Sequence, residues 1–429
     1  MPLSNIFQMN RPIELQITDL ASTKQQILAF TEAFETCNYY DSNEINSPLN
    51  YDRFECLAAF GCIEKVKGNF QQICHQIESE KRWVMGYFAY EISEKFNKNT
   101  KVEDRENGCY IPEIIVAIKR QSKVLEFINN GIPDILFDQY VEQFKNSGIR
   151  SSVEHDLPLT FLPCTPKSTY IENVEAIKKQ IIEGDFYEIN YCQKFIYEGL
   201  LSQPLKTFEA LNKKSPTPFA AYVKNSSFTL LCTSPERFLF KDQQHLVSQP
   251  IKGTNKRLQN EENEKQIAML KNDEKELAEN VMIVDLVRND LGHVCASGSI
   301  KVEELCEVYP FALVNQMIST VSGQLIQNSS FASILTALFP MGSMTGAPKI
   351  EVMKNIAIYE NEKRGIYSGC IGYKMPNGDF DFNVVIRTII EDKLNNNVSF
   401  HVGGAITYDS DPEKEFEECL LKAKGFYNF

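Results

Sequence analysis

The sequence predicts an α+β fold of large, mostly antiparallel sheets rather than a doubly wound parallel sheet. Strand-like and helix-like runs alternate irregularly, without the strand–helix–strand rhythm that parallel sheets require. The strand-like runs also come in groups, between residues 188 and 240 and again between 369 and 407. No internal repeat or low-complexity tract points to a solenoid or a disordered tail.

In chain order, the first strand-like runs are Trp83–Tyr90 and Ile114–Ile118, inside a first region, 1–150. This region is expected to pack into the same sheet core as the rest. The polar stretch Lys145–Ser152 reads as a linker or surface loop. A second region, 160–429, is more regular. Ser168 can cap a helix over Tyr170–Ile182, which Gly184 stops. Strands are expected at Glu188–Tyr197, Ala220–Leu231 and Phe238–Phe240. A helix over Asp273–Leu291 follows from Leu277, Val281, Val284 and Val287 at three- and four-residue spacing. Strands at Gly369–Lys374, Phe380–Ile390 and Val398–Thr407 precede a last helix from Pro412.

Composition narrows the function. The chain is long enough, at 429 residues, to bury one large core or two smaller ones. With 43% apolar and 24% charged residues it is an ordinary globular sequence. A formal net charge of −13 excludes a basic nucleic-acid-binding surface. An anionic substrate therefore needs local cations or a metal to oppose that charge. No run of roughly 18 apolar residues suggests a membrane span, and the first residues do not resemble a signal peptide. The 12 cysteines include no C-x-x-C pair, so they read as reduced, mostly buried thiols of a cytoplasmic protein.

Four stretches carry candidate chemistry. Glu276 and Glu279 share one face of the Asp273–Leu291 helix, and Glu415 and Glu418 share one face of the last helix. If the faces meet, they form an oxygen-rich site suited to Mg²⁺; otherwise they are two solvated acidic faces. Glu236, in S-P-E-R-F, and Lys252, in P-I-K-G-T, can act as proton donor and nucleophile if neighbouring strand ends bring them together. A surface ion pair is the other reading. In M-G-S-M-T-G-A-P-K, Ser343 and Thr345 lie before a helix start that can hold an anion, or in a loop whose glycines serve the backbone alone. Arg387, in an apolar V-I-R-T strand, needs an anionic partner, either a substrate carboxylate or an acidic side chain. Gly403 and Gly404 leave backbone N–H groups open to a carboxylate.

These stretches occur in the order seen in the chorismate-utilising enzymes, together with E-N-V-M-I-V-D-L-V-R-N-D-L, R-G-I-Y-S-G-C-I-G-Y and G-G-A-I-T-Y-D-S-D-P-E-K-E-F-E-E. The resemblance is dense over residues 165–425 and looser before, through G-Y-F-A-Y-E. It implies that 160–429 is a chorismate-binding catalytic region and that the sheets form a sandwich with helices outside. Lys252 resembles the lysine of the aminodeoxychorismate synthase component I branch, where anthranilate synthases have P-I-A-G-T. That branch converts chorismate and ammonia to 4-amino-4-deoxychorismate, on the way to p-aminobenzoate and folate.

The resemblance implies that Lys252 adds to C2 of chorismate, with Glu236 helping the C4 hydroxyl to leave. A free lysine titrates near ~10.4, so burial or a neighbouring cation is expected to lower its pKa. Glu279 and Glu418 resemble direct Mg²⁺ ligands, and Glu276 and Glu415 ligands acting through water. Arg387 and Tyr373, with N–H groups near Gly403 and Gly404, resemble the groups that bind the enolpyruvyl carboxylate. Ammonia is expected from a glutamine amidotransferase subunit or from solution.

The sequence departs from the family pattern at Gln316, where many members have His, at Glu188, where relatives more often have Gln, and at Ala405, where Gly is more frequent. Gln316 cannot serve as a base, which fits a product that keeps its enolpyruvyl group. The alternatives are anthranilate synthase component I and a non-catalytic chorismate-binding regulatory subunit. The presence of Glu236, Lys252, Glu279, Glu418 and Arg387 together speaks against the latter.

Overall fold

Long antiparallel strands and short connections build two sheets. The computed structural model describes residues 12–426 except 97, 99, 104 and 149–158. The first eleven residues, and 149–152 of the expected linker, lie outside the described residues. Strand Phe54–Phe60 is buried along nearly its whole length. That pattern marks a strand covered on both faces, not one with a solvated side.

Among the described residues the first sheet has 12 strands, one of which, Leu162–Pro163, pairs with Glu188–Glu198 off the main path. Strands Ile13–Gln16, Val124–Asn129, Ile114–Lys119, Phe54–Phe60 and Cys37–Asp41 lead into Phe219–Lys224, Phe228–Ser234, Thr388–Asp392, Asn397–Ile406, Glu188–Glu198 and Gly346–Ala347. The second has 10 among the described residues, running from Ile251–Lys256 through Val314–Gln324, His245–Gln249, Arg237–Asp242, Phe380–Val384 and Cys370–Lys374 to Val84–Phe88, Tyr110–Ile111 and Glu64–Lys65, with Lys301–Pro310 pairing with Val314–Gln324 off that path. The first 130 residues thus supply strands to both sheets: Cys37–Asp41 pairs with Phe219–Lys224, and Val84–Phe88 pairs with Cys370–Lys374.

Helices cover the outer faces. Leu20–Phe30, Lys167–Glu183 and Pro412–Ala423 contribute to the core of the first sheet. Phe70–Ser79, Glu274–Gly292 and Phe331–Leu338 do the same for the second. Tyr87, Leu230, Ile371 and Val385 pack between the sheets. Each such buried side chain contributes about 1.5–3 kcal/mol, the scale against which the buried charges of the site are tolerated. No helix among the described residues is long and apolar enough to cross a membrane.

Several expected elements are displaced or divided. The helix expected from Ser168 begins at Lys167 behind Pro166, so Ser168 lies in its first turn; Gly184 ends it in the left-handed region. The run Ala220–Leu231 is two strands, because Asn225–Ser227 turns the chain back. The run Phe380–Ile390 is also two strands. Phe380–Val384 belongs to the second sheet and Thr388–Asp392 to the first, and the chain crosses at Arg387 with φ +50°. Helix Glu274–Gly292 starts where Asp273 accepts from the N–H groups of Lys275 and Glu276, and helix Pro412–Ala423 where Asp411 accepts from Lys414. Both carboxylate pairs therefore sit near helix N-termini, where the helix dipole favours negative charge.

Candidate active site

One end of the gap between the sheets collects most of the candidate residues. Lys252 lies on the edge strand Ile251–Lys256 of the second sheet. Its Nζ reaches Glu188 Oε1 on the first sheet at 2.6 Å. Glu188 is fully buried, and its Oε2 has no hydrogen-bond partner. The expectation of a depressed lysine pKa is reversed here. Burial does push the amine down, but Glu188, Glu279 and Glu236 outweigh it and the net direction is upward. Lys252 rests as an ammonium ion. Its carbonyl accepts from Asn280 Nδ2 at 3.0 Å, which ties this strand to helix Glu274–Gly292. Gly253 follows with φ +99°, and a Cβ there would lie 3.2 Å from Glu276 Oε2. The glycine of P-I-K-G-T thus allows the strand to approach the glutamate helix.

Glu236 sits between strands Phe228–Ser234 and Arg237–Asp242 and is 3% exposed. Ser343 Oγ donates to its Oε1 at 2.6 Å. Burial pushes the Glu236 carboxyl up to about 7, against the pull of Ser343, Lys252 and Arg387. A carboxyl poised there can donate a proton at neutral pH. Ser343 therefore holds the acid. Thr345, expected at the substrate, is fully buried and donates to the Met341 carbonyl at 3.0 Å. Its own carbonyl accepts from Asn190 N–H at 2.7 Å, so it shapes the loop.

Lys275 interacts electrostatically with all four glutamates of the two pairs. Burial pushes Glu279 up to about 7, with Glu188 and Glu276 adding to the shift. Burial also raises Glu276 and Glu415, and Glu418 adds to both shifts. Glu418 is pushed up by burial but lowered on balance by Lys422, whose Nζ lies 2.7 Å from Glu418 Oε1. Lys275 Nζ stands 3.8 Å from Glu279 Oε1. Among the described residues no three acidic, histidine or cysteine side chains converge at metal-ligand spacing. The donor set is nevertheless all carboxylate oxygen, and Mg²⁺ takes one or two carboxylates and completes its shell with water and substrate oxygens. The chemistry of these four carboxylates, Glu276, Glu279, Glu415 and Glu418, fits such an ion.

The Arg387 side chain makes no hydrogen bond or ion pair among the described residues; burial lowers its guanidinium to about 10, against the pull of Glu236. A cation left uncompensated in that way is suited to an incoming carboxylate. Strand Asn397–Ile406 offers further donors. Cys192 and Asn190 send their N–H groups to Glu360 Oε1 and the Thr345 carbonyl, away from this strand. Their antiparallel partners Gly403 and Ala405 must then point their own N–H groups away from strand Glu188–Glu198. Strand Thr388–Asp392 covers that side only as far as Phe400. The open donors are thus Gly403 and Ala405, while Gly404 serves by lacking a side chain: a Cβ there would lie 3.4 Å from Glu415 Oε2.

Tyr373 does not join this group. Its ring packs among Tyr40, Phe54 and Trp83 and lines a separate recess with Arg53 and Arg237. Tyr367, six residues earlier in the same R-G-I-Y-S-G-C-I-G-Y run, is the tyrosine near Gly403. Its hydroxyl lies 3.5 Å from the Sγ of Cys192, the strand partner of Gly403. Sequence reasoning also missed Asn280 and Arg364. Arg364 donates to the Met344 and Asn190 carbonyls at 2.6 and 2.8 Å, which joins the Ser343 loop to strand Glu188–Glu198. Gln316 is buried with Oε1 unpartnered, opposite Thr254.

Comparison with known proteins gives the family and the fold. The chorismate binding enzyme family matches residues 18–428. The chain is 41% identical over 263 residues to a probable chloroplastic aminodeoxychorismate synthase of Oryza sativa subsp. japonica, covering 60% of this chain but 29% of that protein. It is 32% identical over 346 residues to aminodeoxychorismate synthase component 1 of Escherichia coli strain K12, covering 79% of this chain and 74% of that one. The structure of anthranilate synthase component I from Streptococcus pneumoniae superposes with a TM-score of 0.78 at 23% identity, over 90% of this chain and 94% of that one.

Proposed function

This chain belongs to the chorismate binding enzyme family, and on that premise we propose that it is an aminodeoxychorismate synthase component I, aminating chorismate at C4 to 4-amino-4-deoxychorismate. The observation that carries the reading is that Lys252, held on Glu188 at 2.6 Å, shares one site with the buried Glu236 carboxyl, which burial pushes up to about 7 and which interacts with Lys252 electrostatically. Anthranilate formation needs no amine at position 252, whereas displacement of the C4 hydroxyl through a lysine adduct does.

In this mechanism Arg387 and the N–H groups of Gly403 and Ala405 receive the enolpyruvyl carboxylate. Glu279 and Glu418, with Glu276 and Glu415 beside them, would hold Mg²⁺, which when bound would supply a counter-charge for the ring carboxylate. Fixing both ends of the dianion sets C2 before Lys252 and the C4 hydroxyl before Glu236. Lys252 Nζ bonds to C2, the two ring double bonds shift, and the hydroxyl departs with the Glu236 proton. Ammonia then bonds to C4, the double bonds return, and the lysine leaves. The ammonia comes from solution or from a glutamine amidotransferase subunit, and the setting is cytoplasmic.

The test is the purified chain with chorismate, Mg²⁺ and an ammonium salt, its products identified by mass. Aminodeoxychorismate is expected, and Lys252→Ala is expected to lower its formation more than about 10³-fold. Undiminished formation by that variant, or anthranilate as the product, overturns the reading.

A further inference from the structure

We propose that Glu188 is a catalytic residue, the proton acceptor that frees the Lys252 amine for attack. The inference rests on Lys252 being the nucleophile. A buried ammonium has no lone pair to offer, so its proton must leave before or as the C2–N bond forms. Nζ touches one carboxylate, Glu188 Oε1, at 2.6 Å; no other acidic side chain lies within ion-pair distance of it among the described residues. Of the other carboxylates that act on the lysine, Glu236 is bound to Ser343 and is needed as the donor to the departing hydroxyl, and Glu279 lies beyond ion-pair distance on the glutamate helix. Two carboxylates in one site can thus carry opposite roles.

The state of Glu188 favours the transfer. It is fully buried, and Oε2 accepts nothing. The unpartnered Oε2 can take up a proton without breaking the contact of Oε1 with Nζ. Position is fixed by the backbone: Glu188 opens strand Glu188–Glu198 opposite Ala347, and its carbonyl blocks any side chain at Gly346. Where relatives carry Gln, the amide oxygen can orient the amine but cannot take its proton, so the proton has a different destination in this chain.

The balance closes over one turnover. A proton passes from the Lys252 ammonium to Glu188 as Nζ bonds to C2, while the C4–O bond breaks and water leaves with the proton of Glu236. The adduct nitrogen is then a secondary ammonium. Ammonia bonds to C4, the C2–N bond breaks, and the lysine departs as the free amine. It recovers its proton from Glu188, and the new C4 ammonium returns one to Glu236. The sum is chorismate plus ammonia to aminodeoxychorismate plus water.

The experiment compares Glu188→Gln with Glu188→Asp, using ammonium and saturating chorismate from pH 6.5 to 9.5. Gln matches the size and the hydrogen bond, whereas Asp is shorter but keeps a proton acceptor. The proposal expects kcat at neutral pH to fall about 10²-fold in the Gln variant, to recover as pH rises, and to be higher in the Asp variant, with KM for chorismate within threefold throughout. A Gln variant within twofold of wild type at every pH, or more active than the Asp variant, overturns it. Lys252→Ala run alongside separates the two claims. If that variant stays active, the nucleophile reading fails. If it is inactive while Glu188→Gln is normal, only the role of Glu188 fails.

Discussion

Ser343 Oγ donates to Glu236 Oε1 at 2.6 Å, joining a short turn after the Phe331–Leu338 helix to the acid of the second sheet. The bond favours the ionised form of Glu236, against burial, which favours the neutral form. Ser343→Ala removes the opposing pull, so the Glu236 carboxyl titrates higher. The alkaline limb of kcat/KM for chorismate, expected near pH 7 in wild type, should move to higher pH. A limb that moves down or stays fixed contradicts the assignment of Glu236 as the proton donor.

Glu279 gives a linked stability prediction. Its folded pKa of about 7 lies above the ordinary carboxylate value. Folding is therefore unpenalised at pH 4 and loses stability as pH rises from 4.5 through 7. The penalty is on the order of 2–3 kcal/mol above pH 7 in metal-free protein. Glu279→Gln removes it, so Tm without metal should rise at pH 8 and change little at pH 5. Equal gains at both pH values contradict the assigned cause.

Divalent cation affinity should follow the same group. A cation binds the ionised carboxylate, so Mg²⁺ affinity measured by calorimetry should fall as pH drops below about 7. Glu279→Gln or Glu418→Gln should abolish the heat of binding, with the fold intact by circular dichroism. Affinity that is flat between pH 6 and 8 sinks the role of Glu279.

Arg387 should matter to substrate and not to the fold. It lacks a protein partner and is desolvated. Arg387→Met should raise KM for chorismate about 10–100-fold, as loss of a charge-assisted contact of 1.5–3 kcal/mol implies. Tm should hold or rise, since a half-buried, desolvated cation without an ion-pair partner is removed. A fall in Tm of several degrees with unchanged KM would show that the arginine is structural.

The neighbouring glycines should separate cleanly. A Cβ at Gly403 would sit 2.4 Å from Cys192 Sγ and 2.6 Å from the Tyr191 carbonyl, whereas at Gly404 the nearest atom is 3.4 Å away. Gly403→Ala should cost about 1–3 kcal/mol by overpacking, and Gly404→Ala should fold normally. Chemical denaturation of both variants checks this.

The local features of the fold were legible because they depend on near neighbours. The Glu274–Gly292 helix follows from apolar spacing and from Asp273 as its cap, and the two glutamate pairs follow from helix periodicity. What failed depended on distant partners. Ser168 reads as a cap only until Pro166 is placed. The break at Arg387 is invisible in an apolar run, because the two halves of that run are claimed by different sheets. Tyr373 and Tyr367 lie in one motif, and which of them faces Gly403 is decided by strand pairing, not by spacing. Glu188 stands out as an unusual residue, but its contact lies 64 positions away at Lys252. Whether burial or carboxylates governs the lysine depends on that contact.

The glutamate pairs belong to helices rooted in different layers, Glu274–Gly292 on the second sheet and Pro412–Ala423 on the first. A cation shared between them would be a rivet through the two halves of the molecule, and its loss would leave like charges prising the halves apart. Chelation should therefore loosen the seam from that end, with amide exchange quickening first in strands Ile251–Lys256 and Asn397–Ile406 while the far aromatic seam around Trp83 stays closed.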